Sequence, residues 1–229
     1  VATRPVFIPC SSTIGVQEVQ VDFQWFPGMA LSQAQRSIAS LHEQAAKAGL
    51  NDLLEISSKS PDPDGVALSA FNLKFTTLKY NRTFSVEIAF QASKVFEHGG
   101  PYRELLEVDS RTAKRDVRLK TSGRLLKFSF LKTEFPLRPV TYFYDWLYVN
   151  ALAKNRHLWP ALSHAGGFTD IVFNPSKSLN CQAYSAALFA SLVQADKLSE
   201  ALESPQSFLA VTSDAYRLRE EKQSSLFRS

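Results

Sequence analysis

The chain has few of the residues that cross-link proteins or hold metals. Its two cysteines, Cys10 and Cys181, have no metal-like spacing. Its four histidines, His42, His98, His157 and His164, form no H-E-x-x-H pattern. No metal is expected. With nine glycines in all, the chain contains no G-x-S-x-G, G-x-x-x-x-G-K-[ST] or G-x-G-x-x-G sequence. Serine-hydrolase, P-loop and Rossmann chemistry therefore lack a basis, and no cofactor is expected. No apolar run approaches the roughly 18 residues needed to cross a bilayer. The opening residues lack a basic start followed by a long apolar run. The expectation is a soluble protein of the reducing cytoplasm, with no membrane association. There is no internal repeat and no low-complexity tract.

What the chain does have is apolar and aromatic bulk. It is 45% hydrophobic and has 17 phenylalanines among its 229 residues, enough for a substantial core. Val19, Val21, Phe23 and Trp25 alternate with polar residues, the period of a half-buried strand. Leu31 to Lys47 follows with Ala34, Ile38, Leu41 and Ala45 on one helical face, and Gly49 is placed to stop it. Leu53 to Ser57 and Asn72 to Leu78 read as further strands. The prolines and Gly65 between Pro61 and Gly65 read as an irregular loop. Thr141 to Ala153 predicts an aromatic helix. Leu179 to Val193 predicts one with small residues suited to close packing. From Thr212 onward the charges interleave, and a fraying tail is expected. The class is α+β, compact and helix-rich.

One stretch is chemically unusual. Val86 to Phe96 reads as a helix that is apolar or small nearly all round except for Glu87, Gln91 and Lys94. At roughly 100° per residue these three share an arc of about 60°, narrower than a solvated face. A carboxylate and an ammonium in such a stripe need partners. A cleft lining and a structural ion pair both satisfy that need. Thr83 or Ser85 is placed to cap this helix, and Gly99-Gly100-Pro101 to end it.

Charge is also unevenly distributed. The net charge is +4, yet Arg111, Lys114, Arg115, Arg118, Lys120, Arg124 and Lys127 face only Asp116 within their segment, so the rest of the chain is slightly acidic. A local basic patch suits a polyanion, although a solvated surface explains it equally well.

Glu87-x-x-Phe90-Gln91-x-x-Lys94, preceded by Leu68-Ser69-Ala70-Phe71-Asn72, resembles the marker helix of the NADAR (YbiA-like) family. Glu55-Ile-Ser-Ser-Lys-Ser-Pro-Asp-Pro63, and Phe168-Thr-Asp-Ile-Val-Phe-Asn-Pro175 leading into Ser178-Leu-Asn-Cys-Gln-Ala183, resemble its branch of antitoxins found beside DarT-type toxins. The match runs from about Leu53 to Leu192. Ala70 stands where many relatives have Asn. The chain reads as one domain, 1–229, with an N-terminal strand-helix extension (1–52), a family core (53–198) and a flexible tail (212–229).

The resemblance implies cleavage of N-glycosidic bonds to ribose and, for this branch, removal of ADP-ribose from guanine in DNA. Partners would be ADP-ribosylated DNA, ADP-ribose as product and a cognate DarT-type toxin. Glu87 takes the acid-base role, Lys94 the covalent or electrostatic one, and Asp170 matches an acidic residue near the ribose. A turn or cap role fits Asp170 equally well. Expected substrate contacts are Gln91, the loop Ser57-Ser58-Lys59, Asn72, Asp145-Trp146, and Lys177, Ser178 and Asn180 at the start of the last core helix, where amides suit a pyrophosphate. Lys59 is the alternative essential lysine. Arg111, Lys114, Arg115, Arg118 and Lys120 are the expected DNA contacts. Two rivals remain: an N-glycosidase for free ribosylated metabolites, such as riboflavin-pathway intermediates, and an antitoxin that masks the toxin without catalysis.

Overall fold

A computed structural model describes residues 1–77, 81–175 and 178–226, with side chains to residue 221. It is α+β and helix-rich, with 46% helix and 19% strand.

Strands β1 (Ala2–Pro9) and β2 (Val16–Phe23) form an antiparallel hairpin running from the Ala2↔Phe23 pair to Pro9↔Val16. Val21 and Phe23 point inward, as their alternation predicts, but the strand ends at Phe23 and Trp25 is exposed. Helix α1 (Leu31–Lys47) lays Ile38, Leu41 and Ala45 on this hairpin, forming a small core with Val6 and Ile171. Gly49 ends the turn after it at φ +83°, a conformation glycine adopts without steric cost.

Strand β3 (Leu53–Glu55) enters the main body. The next residues are not the irregular loop expected. Helix α2 (Pro63–Ala67) forms because Pro63 occupies the first helical position, where its missing N–H is no loss, and Asp62 accepts from Asp64 N at 2.8 Å. Strands β4 (Lys74–Thr76) and β5 (Thr83–Ser85) pair antiparallel and deliver the chain to helix α3 (Val86–Ala92). Ser85 caps α3, accepting from Ile88 N at 3.2 Å.

Helix α3 is shorter than its sequence pattern suggests. It stops at Ala92, and Lys94 begins strand β6 (Lys94–Phe96). The Ser93 hydroxyl donates to Ala89 O and Ser93 O accepts from Ser129 N, so the sheet captures the chain before another turn can form. A 3₁₀ turn (Arg103–Glu107) and short helices α4 (Ser110–Arg115) and α5 (Arg118–Thr121) precede β7 (Leu125–Phe130) and β8 (Thr133–Phe135), which complete the sheet β6-β7-β8.

Helix α6 (Tyr142–Lys154), helix α7 (Trp159–His164), strand β9 (Gly167–Thr169) and helix α8 (Gln182–Gln194) build the centre. Strand β9 lies parallel to β3 and touches β1 at Phe7↔Phe168, giving the order β2-β1-β9-β3. Ala183, Ala186, Ala187 and Ala190 are buried on α8, and their small size lets it pack closely on α6.

After helix α9 (Leu198–Ala201), helix α10 (Pro205–Leu226) runs through most of the region expected to fray (212–229), of which residues 227–229 lie outside the described residues. Interleaved charge marks a helix here. Thr212, Ala215 and Tyr216 are buried, and Arg219 sits 3.8 Å over the Tyr184 ring.

Candidate active site

Helix α3 and strand β6 carry the central group. Gln91 Nε2 donates to Glu87 Oε1 at 2.9 Å, and Lys94 Nζ donates to Gln91 Oε1 at 2.7 Å. One amide thus links the acid to the amine. The short helix still aligns all three side chains, because Lys94 lies at its exit and turns back along the same face. Glu87 and Gln91 are buried and Lys94 partly so. Burial lowers the Lys94 pKa to about 8, with the neighbouring Lys114 cation adding to the shift and Glu87 opposing it. Lys94 Nζ also stands 4.9 Å over the Phe90 ring.

Lys114, from α4, lies 3.5 Å from Glu87 Oε1 and 5.0 Å over Phe71. Across the cleft, Asp170 follows β9. Its Oδ1 accepts from Val172 N at 3.0 Å and Phe173 N at 3.1 Å. Burial, then the nearby Glu55 carboxyl, raises its pKa to about 7. Glu55 is buried on β3 and is itself pushed up by burial, although it accepts from Thr169 Oγ1 at 2.6 Å and Ile171 N at 2.9 Å. His42 Nε2 lies 2.9 Å from that threonine hydroxyl, and burial lowers the histidine to about 4.

A cavity of about 280 Å³ is lined by Glu87, Gln91, Lys94, Lys114, Tyr144, Asp170, Ser178, Asn180 and Gln182, among others, with Glu55 and His42 behind it rather than in its wall. Six residues expected from the sequence meet there: Glu87, Gln91, Lys94, Asp170, Ser178 and Asn180. Ser178 and Asn180 precede α8 rather than opening it, and the helix is preceded by Cys181 with no side-chain cap. Lys177 lies outside the described residues.

Other expected contacts stand elsewhere. Ser57 is buried and accepts from Lys59 N. Ser58 and Lys59 do not line this cavity. Asn72 donates to Val66 O and Ser69 Oγ, which is turn chemistry. Asp145 is buried beneath α8, accepting from Thr141, Ser185 and Tyr216 hydroxyls, with Arg219 as its countercharge. Trp146, on the same helix, packs against Phe135 with ring centroids 4.9 Å apart and the planes tilted by 43°.

The basic segment is also divided. Lys114 faces the cleft, while Arg118 is paired with Asp116 and Glu104. Arg111, Arg115 and Lys120 are exposed. Among the described residues, no group of three or more His, Cys, Asp or Glu is placed to hold a metal ion, and no helix is long and apolar enough to cross a membrane.

Sequence reasoning passed over Tyr144, Gln182 and the cleft role of Lys114. Gln182 accepts from Ala70 N at 2.7 Å and donates to Ile56 O at 2.8 Å, tying the segment before α3 to the strand that carries Glu55. Its only signal was its place directly after Ser178-Leu-Asn-Cys181.

Residues 2–222 match the family described as DarT1-associated NADAR antitoxin. The chain belongs to that family. The match includes the β1-β2 hairpin, α1 and most of α10, so these elements of the NADAR antitoxin fall within the family pattern. Comparison with curated proteins finds no match.

Proposed function

We propose that this antitoxin is an N-glycosidase that releases ADP-ribose from guanine bases of DNA, reversing the modification made by a DarT1-type toxin. The observation that carries the reading is the Glu87-Gln91-Lys94 chain, which presents an amine with a pKa of about 8 in a polar cleft opposite Asp170.

At pH 7 roughly a tenth of such an amine is neutral and nucleophilic, far more than for a solvated lysine. When the N-ribosyl sugar opens, its anomeric carbon becomes an imine to the base nitrogen. Neutral Lys94 adds to that carbon. The guanine nitrogen takes a proton and leaves with the electrons of its bond to carbon, and a lysine Schiff base remains. Water adds to that imine, the amine departs, and free ADP-ribose closes to its hemiacetal. The balance is one water consumed, with ADP-ribose released and unmodified guanine left in the DNA. Glu87 is assigned the proton transfers at the departing nitrogen, and Asp170 the ribose side. Gln91 holds the amine against the cleft wall. Arg111, Arg115 and Lys120 are assigned to DNA phosphates.

The test is incubation with an oligonucleotide ADP-ribosylated on guanine, with products weighed by mass spectrometry. Release of free ADP-ribose and intact unmodified DNA supports the proposal. Protection against the toxin that survives Glu87→Gln and Lys94→Ala, without any release, would establish masking instead.

A further inference from the structure

A second recess, of about 380 Å³, lies on the far side of Lys94. Four residues, Phe90, Lys94, Tyr144 and Asn180, line both it and the polar cleft. Its remaining walls differ in character. Leu125, Phe128, Val140, Tyr142 and Leu179 make it mainly apolar and aromatic, and Arg138 stands at its mouth. The volume falls within the roughly 300–1,000 Å³ of small-molecule sites.

We infer that this recess is the subsite for the leaving guanine, an assignment that rests on the glycosidase reading. A bond cleaved at Lys94 has two sides. The polar cleft offers carboxylates, amides and the Lys114 cation, which suit ribose hydroxyls and a diphosphate. The other recess offers aromatic and aliphatic walls, which suit a planar base. Guanine is favoured over the distal adenine by Arg138. Its side chain is 80% exposed and, among the described residues, is held by a 3.4 Å contact to Glu220 Oε1, so its fork of donors is able to turn toward a ligand. Guanine presents two acceptors, O6 and N7, on one edge, whereas adenine places a donor beside N7.

The test measures binding without turnover. Calorimetric titration of deoxyguanosine monophosphate, deoxyadenosine monophosphate and ADP-ribose is made into the wild-type protein and into Val140→Trp, Leu179→Trp and Arg138→Ala. Both tryptophans fill the recess from different edges, and thermal melts identify any variant that fails to fold. The inference expects the guanine nucleotide to lose about tenfold or more in affinity in each tryptophan variant, while ADP-ribose changes by less than about twofold. Arg138→Ala should abolish the preference for guanine over adenine. A parallel loss of ADP-ribose would place adenine in the recess and overturn the inference. So would unchanged guanine binding in the tryptophan variants, or wild-type protein that binds no guanine nucleotide at millimolar concentration. Recess-dependent guanine binding in a protein that releases no ADP-ribose would refute the hydrolase reading alone.

Discussion

Lys114 Nζ, not Lys94 Nζ, is the ion-pair partner of Glu87, at 3.5 Å, and Lys94 reaches the same carboxylate only through the Gln91 amide. Two cations therefore share one acid, and the Lys114 charge bears on the Lys94 proton. With Lys94 titrating near 8, a reaction that needs the neutral amine has a rate that rises with pH and levels off above about pH 8. Lys114→Met removes a like charge, so the Lys94 pKa should rise and neutral amine should become scarcer. Because the Lys114 side chain is 54% exposed, solvent limits the effect to a few tenths of a pH unit. Rate measurements from pH 6 to 9 on both proteins would show it, and a shift toward lower pH would contradict the electrostatic account.

The two lysines of the sequence motifs should separate cleanly. Lys94→Ala and Lys94→Arg should each lower the rate of ADP-ribose release by about a thousandfold, since arginine keeps the charge but supplies no nucleophile. Lys59→Ala should change it by less than about threefold, because Lys59 does not line the cleft. Borohydride added during turnover should yield a reduced adduct whose mass maps to Lys94. Adduct on Lys59, or an active Lys94→Arg enzyme, would reassign the role.

Asp170 should oppose stability at high pH. Its pKa is raised from 3.8 to about 7, so the folded protein holds a proton that the unfolded chain has released, and stability falls as pH rises through that interval. Asp170→Asn keeps an oxygen for the Val172 and Phe173 amides and removes the repulsion with Glu55. The variant should be more stable than wild type at pH 8, by on the order of a few kcal/mol at most, with the gain vanishing near pH 4. Urea melts at the two pH values decide it, and an equal difference at both would exclude a titrating Asp170.

Salt dependence should distinguish members of the basic segment. Neutralising Arg111, Arg115 or Lys120 should each flatten the dependence of DNA affinity on ionic strength by about one unit of slope. Arg118→Ala should leave the slope nearly unchanged, because Asp116 and Glu104 already occupy its guanidinium. The measurement is binding of an unmodified oligonucleotide across a salt series.

The elements legible in the sequence were those with a strong local signal, such as α1 with the apolar period of Ile38, Leu41 and Ala45, and α6 with its run of aromatics. The end of α3 was hidden because residues after Ala92 suit helix and strand equally, and pairing with β7 decides between them. The site was legible where chemistry lay at local spacing, as in Glu87, Gln91 and Lys94. Lys114 was read as surface because nothing local shows that α4 folds back over Phe71. Asp145 looked like a ligand contact because its ordering partners, Ser185, Tyr216 and Arg219, lie 40 to 74 residues away in the chain. A buried acid and a waiting acid look alike until the fold supplies neighbours.

The end of α3 at Ser93 puts the acid and the amine on different elements. Glu87 rides on a helix seated in the main core, while Lys94 is the first residue of the antiparallel sheet β6-β7-β8. Any sliding of those strands would carry the amine toward or away from a stationary carboxylate, and the single glutamine between them is the spring that would register it.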